Sequence, residues 1–484
     1  MLLFAIASMF LHAICTSVTS VTSVTPLRRF EYIDVLYNQY VMYNRGRNIF
    51  SLWIQNCREH CREHCREHLT KELKMDLQKS IVKYAELAVS TGINLQEGEG
   101  LIIGTNQHGL PLAREIVKKA YAAGAKHIEI QFNDEEMTLA RYEFGKNFIF
   151  DSFPLCKVNA LIGMYKDNYH HLFISSPNPE LLRDIPAELV ARDQKSSSMA
   201  MTPAMEYRMT ARTRWSIIAV PSPAWALSVF PHLSVEEATL LLWENIFDAT
   251  RVSMENPVDA WKTHVKDLKK YVNLLNSKNF SHLLFQAPGT DLEVGLAKNH
   301  HWVGGSKDST TGIPFIANIP TEEVFTTPHR LKVNGTLRAT KPLSLNGKLV
   351  EDFGFTFKDG KVVDYYATKG KEVLDRLLES DEGARYLGEV ALVPNHSPIS
   401  NTNILFNNTL FDENASVHFA LGRSYAYAMI DGASKPPQEL FEKGANNNSI
   451  IHTDFMVGGP EMNITAVSED GSETPLFRNG NWVI

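Results

Sequence analysis

A strand-like run, a helix-like run and a second strand-like run follow one another closely between residues 101 and 132. Leu101–Thr105 (LIIGT) is a short apolar run, Leu110–Ala125 has apolar residues at helical spacing, and Ile128–Phe132 (IEIQF) alternates apolar and polar residues. Two strands joined by one helix form a right-handed βαβ unit, in which the strands are parallel. We therefore predict an α/β domain that contains a parallel sheet.

The alternation of strands and helices continues to about residue 278. Ala160–Tyr165 and Trp215–Pro221 are predicted strands, and Val235–Ala249 is a predicted helix. Pro257–Ser277 is predicted to be a long amphipathic helix, because proline is favoured in a first helical turn. We place a domain boundary at the end of this helix, so that the N-terminal α/β domain covers residues 73–278.

Beyond this boundary the pattern changes to short strands separated by turns. Two alternating segments, for example, flank a Lys-Asp-Gly turn at Lys358–Gly360. A turn of this composition between two strand-like segments is typical of a β-hairpin. We predict that residues 279–484 form an α+β, mostly antiparallel domain, and that this domain is catalytic.

Residues 1–72 differ from the rest of the chain. Met1–Cys15 is an apolar run that resembles the core of a secretory signal, but no basic residue precedes it and it is short for a transmembrane helix. The unit CREH is repeated three times between Cys57 and His68. A helix would place these cysteines on one face that suits a soft metal, but a perfect tandem repeat is more typical of a low-complexity insertion. We interpret residues 1–72 as a poorly ordered leader or low-complexity extension.

Charge and cysteine content exclude several classes of protein. The chain has 48 basic and 55 acidic residues, a net charge of −7, and no basic stripe, so nucleic-acid binding is not expected. None of the five cysteines follows Cys156, so no disulfide framework is predicted. We expect no stable membrane association and a cytoplasmic location. Secretion or an organelle is the alternative, in which case a glycan at the Asn414 sequon would threaten nearby residues.

The last third of the chain carries acidic, imidazole and phenol side chains in short unusual motifs: Glu323, Glu389, Glu413, His418, Tyr425, His452 and Asp454. This composition is typical of a site for two divalent metals. In a strand, His452 and Asp454 would share one face. Alternation places either Glu322 or Glu323 inward, where a carboxylate needs a partner such as a metal.

Each of these motifs also has a simpler interpretation. Glu322 and Glu323 can be an exposed pair at a strand end, Glu389 can pair with Arg385, and His418 can be an ordinary core histidine. The recurrence of such ligands in one cysteine-free region favours the metal site. No HExxH, CxxC or glycine-rich phosphate loop indicates another chemistry.

Four motifs together resemble, in order, the thermophilic metalloaminopeptidase family of the aminopeptidase T and aminopeptidase S type. They are NIPTEEVFTTP (318–328), GEVALVPNHSPIS (388–400), NTLFDENASVHFALG (408–422) and IIHTDFMVGG (450–459). The resemblance covers roughly residues 75–484. It implies a metal-dependent aminopeptidase that releases N-terminal residues from peptides and forms a homodimer.

The resemblance also implies a set of site residues. The family's metal ligands match Glu323, Glu389, His418, His452 and Asp454, with Glu413 as a further ligand, and its active-site tyrosine matches Tyr425. We expect two divalent ions of zinc, cobalt or manganese, bridged by Glu323. Glu389 is expected to shuttle a proton and Tyr425 to stabilise the oxyanion.

Two alternatives come from other classes of protein. Ring-cleaving dioxygenases resemble this fold and ligand set but hold one ferrous ion, which needs fewer carboxylates. A non-catalytic peptide-binding relative is the second alternative, and the intact ligand set argues against it.

Overall fold

The computed structural model describes residues 76–345 and 348–484. The interpretation of residues 1–72 therefore falls outside the described residues. Of a first compact unit, Met1–Ile81, only residues 76–81 are described, and they are α-helical. The second unit is Val82–Ile484. Within the described ranges, no helix has the length and apolar character that crossing a membrane requires.

A four-stranded parallel sheet with the strand order β2-β1-β3-β4 forms the first half of this unit. Its strands are β1 (Gly100–Thr105), β2 (His127–Phe132), β3 (Tyr169–Ser175) and β4 (Trp215–Ala219). The helices are α1 (Leu110–Ala122), α2 (Glu135–Phe144), α3 (Leu155–Lys166), α4 (Ala187–Met209), α5 (Pro223–Val229), α6 (Val235–Ala249) and α7 (Pro257–Lys278). The predicted βαβ unit is confirmed as β1, α1 and β2.

The prediction of a strand at Ala160–Tyr165 was wrong, because this segment lies within helix α3. Val158, Leu161 and Tyr165 are all buried, and their spacing puts them on one helical face. A short apolar run fits a buried strand and a buried helix equally well, so periodicity alone did not separate the two. The strand of this region is β3, which follows.

Helices α6 and α7 begin where the sequence predicts. Ser234 and Glu237 form a capping box at the start of α6. The Asn256 side chain accepts a hydrogen bond from the backbone of Asp259 at the start of α7, where Pro257 occupies the first turn. Helix α7 ends at Lys278, and the capping residue Asn279 that follows has a positive φ of 47°. Local capping therefore sets the helix ends next to the second half of the unit.

Two larger antiparallel sheets build the second half. The nine-stranded sheet has the order β12-β13-β11-β6-β5-β18-β19-β20, with β14 paired to β13. Its strands are β5 (His282–Ala287), β6 (Thr290–Leu296), β11 (Pro328–Arg338), β12 (Leu343–Leu345), β13 (Lys348–Lys358), β14 (Lys361–Lys369), β18 (Asn463–Val467), β19 (Glu473–Arg478) and β20 (Asn481–Trp482). The predicted hairpin is confirmed: Lys358 pairs with Lys361, and the turn residues Asp359 and Gly360 both have positive φ.

The five-stranded sheet has the order β17-β16-β15-β10-β7. Its strands are β7 (Val303–Gly304), β10 (Val324–Thr326), β15 (Leu387–Leu392), β16 (His418–Gly422) and β17 (His452–Met456). Strands β8 (Lys307–Asp308) and β9 (Pro314–Phe315) form a separate pair, and short helices α8 (Lys371–Leu378), α9 (Thr409–Asp412) and α10 (Pro437–Glu442) complete this half. A parallel α/β region and an antiparallel region are thus both present, as predicted. The domain boundary at residue 278 remains a prediction.

Candidate metal centre

One face of the five-stranded sheet carries most of the predicted site residues. Glu389 of β15 lies opposite Ala420, and Ala420 lies opposite Asp454. His418 and His452 are each two residues from this row, so the alternation of a strand puts their side chains on the same face. The other face carries Val390, Phe419 and Phe455, which pack in the main hydrophobic core. Burial of the apolar face in the core therefore fixes the orientation of the polar side chains on the other face.

Glu323 joins this face from the residue before strand β10, two positions from Phe325. The alternative of an exposed glutamate pair is wrong, because both Glu322 and Glu323 are buried. Glu323 faces His418, as the expected inward member of the pair. Glu322 is buried against other residues, and its two carboxylate oxygens accept hydrogen bonds of 2.7 and 3.0 Å from Arg251.

Four short distances connect the imidazoles and carboxylates. His418 Nε2 is 3.2 Å from Glu323 Oε2 and 3.6 Å from Glu389 Oε1. His452 Nε2 is 3.5 Å from Glu389 Oε2 and 3.3 Å from Asp454 Oδ1. Two ligand groups result, Glu323–Glu389–His418 and Glu389–His452–Asp454, and in each the ligand atoms lie within 4.8 Å of one another. Glu389 belongs to both groups and does not pair with Arg385, which donates to the carbonyl of Val362.

In both histidines, Nδ1 lies within hydrogen-bonding distance of a backbone carbonyl oxygen. His418 Nδ1 is 3.1 Å from the carbonyl oxygen of Ser416, and His452 Nδ1 is 2.6 Å from that of Arg423. A carbonyl oxygen only accepts hydrogen bonds, so each Nδ1 carries a proton and donates it. In the neutral ring this leaves the lone pair on Nε2, which faces the carboxylates. Metal-binding histidines are held in this way.

The electrostatics show how much negative charge this face collects. Burial raises the pKa of Glu389 to about 7, and the charges of Glu323 and Asp454 add to the effect. Burial and the same two charges raise the pKa of Glu413 well above its usual value. Burial opposes protonation of His452, but Asp454 and Glu389 raise its pKa to about 9. Without a cation, the carboxylates can stay ionised together only at a high cost in free energy.

Glu413 and Tyr425 complete the predicted set. Glu413 belongs to neither ligand group, but it is close enough for Glu323, Asp454, His418 and Glu389 to affect its pKa. The ring of Tyr425 contacts His452, with 4.6 Å between ring centroids. Burial and the neighbouring Tyr427 raise the pKa of the Tyr425 phenol, so the group remains protonated and can donate a hydrogen bond.

Two further residues of this region were not selected from the sequence. Tyr427 stacks on Tyr425 at 5.2 Å, and burial and the charge of Glu389 raise its pKa. Because Tyr425 and Tyr427 are two residues apart, the sequence could have indicated that Tyr427 also belongs to the site. The ammonium group of Lys307 lies 3.7 Å from the Tyr427 ring centroid. No sequence signal indicated Lys307, because it lies outside the four motifs.

The residues fit divalent metal ions. Carboxylates and Nε2 of neutral imidazole are the ligands that zinc, cobalt and manganese accept. The two histidine tautomers are fixed, and a cation would relieve the repulsion among the buried carboxylates. The donor set is therefore suited to metal-assisted hydrolysis.

Comparison with known proteins agrees with this geometry. The profile of the family described as thermophilic metalloprotease (M29) matches residues 77–482. The chain is similar to Aminopeptidase 2 of Geobacillus stearothermophilus, at 44% identity over 84% of this chain and 98% of that protein. It is similar to Aminopeptidase AmpS of Bacillus subtilis (strain 168), at 42% identity over 82% of this chain and 97% of that protein.

A solved structure is also similar. It is the wild-type AmpT from Thermus thermophilus, with 40% identity, a TM-score of 0.79, and coverage of 84% of this chain and 99% of that chain. The resemblance inferred from the four motifs is thereby confirmed. The protein is a hydrolase of the metalloprotease class, and its chain belongs to the thermophilic metalloprotease family M29.

Proposed function

We propose that this protein is an aminopeptidase that uses two divalent metal ions to remove N-terminal residues from peptides. One observation carries the proposal: two imidazoles, each fixed at Nδ1 by a backbone carbonyl, direct Nε2 at two groups of carboxylates that share Glu389. Two ligand groups with one shared carboxylate suit two ions. The relatives' names support the substrate class, since all are aminopeptidases.

The ligands in this proposal are Glu323, Glu389, His418, His452 and Asp454, with Glu413 beside them. Bound there, divalent ions would supply Lewis-acid activation of water and of the scissile carbonyl. From the sequence, we expect Glu323 at the shared position. Glu323 faces His418 alone among the imidazoles, whereas each oxygen of Glu389 faces a different imidazole, so we assign the shared position to Glu389.

Proton transfer needs a carboxylate that is not fully occupied as a ligand. Glu389 is the residue predicted for this role, but it is also the carboxylate shared by both ligand groups. Burial raises the pKa of Glu413, which belongs to neither ligand group. We propose that Glu413 carries the proton and that Glu389 remains the alternative. Tyr425 donates a hydrogen bond to the developing oxyanion, a contact typically worth about 3 kcal/mol of activation free energy.

The free N-terminus of the substrate gives a reason for exopeptidase action. It carries an α-amino group, which an acidic side chain of the centre or a bound metal ion would recognise. An internal peptide segment has no such group.

Hydrolysis of amino-acid p-nitroanilides and short peptides tests the proposal. We expect release of N-terminal residues that is lost on chelation and restored by zinc, cobalt or manganese. Glu323→Ala should lose bound metal and activity, whereas the matched control Glu469→Ala, an exposed acid in a turn, should retain both. Two metal ions per chain are expected by elemental analysis. A metal-loaded, folded protein that hydrolyses none of these substrates would contradict the proposal.

The metal content of two variants distinguishes the two candidate proton carriers, Glu413 and Glu389. Glu413→Gln should reduce kcat by at least about a hundredfold while the metal stays bound, because general acid–base catalysis contributes about 10²–10⁴-fold. Glu389→Gln should lose metal as well. The reverse pattern would return the role to Glu389.

The dioxygenase alternative and the non-catalytic alternative are not favoured by the family or by the relatives' names. Oxygen uptake with ferrous iron would detect the former.

We also propose a homodimer and a cytoplasmic location. For the location, the Asn414 side chain is fully buried and accepts a hydrogen bond of 2.7 Å from the backbone of Glu322, so a glycan there is incompatible with this fold. Light scattering of the purified protein tests the dimer, and fractionation of cells tests the location.

A further inference from the structure

Lys307 places a positive charge beside the acidic centre without a carboxylate partner. Its Nζ lies 3.7 Å from the centroid of the Tyr427 ring and donates at 3.4 Å to the carbonyl of Met209. Among residues 76–345 and 348–484, no ion pair joins Lys307 to an acidic side chain. Burial lowers its pKa to about 8, so at neutral pH the side chain remains mostly an ammonium. Keeping such a cation half-buried costs free energy, which an anionic ligand would help to offset.

The route from the metal ligands to Lys307 is a continuous wall of rings. His452, Tyr425 and Tyr427 follow one another at centroid distances of 4.6 and 5.2 Å, and Lys307 lies 3.7 Å beyond. At ~3.4 Å per extended residue, this wall spans at most about four residues of peptide. Lys307 therefore lies within reach of the far end of a short peptide whose N-terminus is at the metal ligands.

The residues along this wall keep part of their surface exposed. The side chains of His452 and Asp454 are 19% and 10% exposed, and Tyr425, Tyr427 and Lys307 are half-buried. The side chain of His418, by contrast, is only 1% exposed. The partly exposed residues of the centre are therefore those next to the two tyrosines.

We propose that Lys307 binds the C-terminal carboxylate of short peptide substrates, so that the enzyme prefers peptides of about two to four residues with a free C-terminus. This inference rests on the proposed aminopeptidase function. The two ends of a short peptide then have different partners: the metal centre binds the N-terminal end, and Lys307 attracts the carboxylate end. Lys307 is thus a specificity-determining residue, and Tyr427 holds its ammonium in place by a cation–π contact.

Paired substrates test this inference. The peptide Leu-Gly-Gly and its C-terminal amide share the scissile bond and differ in the terminal charge. The wild-type enzyme should hydrolyse the free acid with a kcat/KM about ten- to a hundredfold higher than the amide, since a hydrogen bond to a charged group typically has this effect. The difference should appear mainly in KM.

Variants assign the preference to the residue. Lys307→Met should remove the preference by slowing hydrolysis of the acid alone, and Lys307→Arg should restore most of it. Lys361→Met, the same change at an exposed lysine of β14, is the matched control and should keep the full preference. Equal kcat/KM for acid and amide in the wild type would overturn the inference, even if Lys307→Met does not fold. If the wild-type enzyme hydrolyses neither the free acid nor the amide with any added metal, the proposed function itself would be refuted.

Discussion

The buried pair of Arg251 and Glu322 should be one of the most sensitive points of this fold. The two groups form a bidentate contact of 2.7 and 3.0 Å, and their side chains are only 13% and 5% exposed. Arg251→Met leaves the Glu322 carboxylate buried without its main partner, with only His264 at 3.5 Å. Breaking a buried pair in this way costs about 3–5 kcal/mol, so we expect the free energy of unfolding to fall by that amount.

Urea denaturation of the metal-free protein measures this effect, with a control pair on the surface. Arg338 and Asp352 form a comparable contact of 2.9 Å, but both side chains are nearly half exposed. Arg338→Met should cost less than about 1 kcal/mol. The double variant Arg251→Met/Glu322→Gln should recover much of the stability, because it removes the stranded charge.

The same contact should also affect the metal centre. Glu322 directly precedes the proposed ligand Glu323, and its backbone N–H donates to Asn414, the neighbour of Glu413. Loss of residues that hold ligands typically reduces metal affinity about 10–100-fold. We expect this reduction in Arg251→Met, measured by competition with a chelator. A loss of stability no larger than that of Arg338→Met, or strictly additive single effects, would refute the reasoning.

Three further predictions follow from other parts of the structure. Chelation should lower the melting temperature, because it leaves buried carboxylates without a cation, and calorimetry should show recovery when metal is restored. Gly304→Ala should weaken metal binding in titrations, because its Cβ would lie 2.6 Å from the carbonyl oxygen of Glu323; unchanged affinity would contradict this. Burial lowers the pKa of His171 from 6.5 to about 3, so between these values the unfolded chain binds a proton that the folded chain does not. Stability should therefore fall as pH decreases through this window, by at most ~1.4 kcal/mol per pH unit from this group, and less steeply in His171→Gln.

Much of the fold could be predicted from local pattern. The βαβ unit, the two long helices and the Lys358–Gly360 hairpin each depend on periodicity and capping within a short window. The prediction of a strand at Ala160–Tyr165 was wrong because these six residues have no hydrophobic periodicity that distinguishes a strand from a helix. The next strand, Tyr169–Ser175, was missed because it is buried throughout most of its length and does not alternate clearly.

The candidate site was predictable as a set of residues but not as an arrangement. The motifs identified the acids and imidazoles, because those side chains are unusual within apolar strands. Which carboxylate lies between the imidazoles depends on a register irregularity between Leu387 and Glu389, which no sequence pattern reveals. The partner of Glu322 was also hidden, since Arg251 is distant in sequence, and Lys307 belongs to a two-residue strand without a motif.

The distribution of the ligands over several strands has a consequence for biosynthesis. The proposed set runs from Glu323 to Asp454, and no single strand supplies either ligand group in full. A ribosome must translate residue 454 and release it from the exit tunnel before both groups can assemble. If these residues are the ligands, we expect the chain to be unable to trim the free N-termini of its neighbours on a polysome through most of its own translation. A product truncated before residue 452 should likewise lack protease activity.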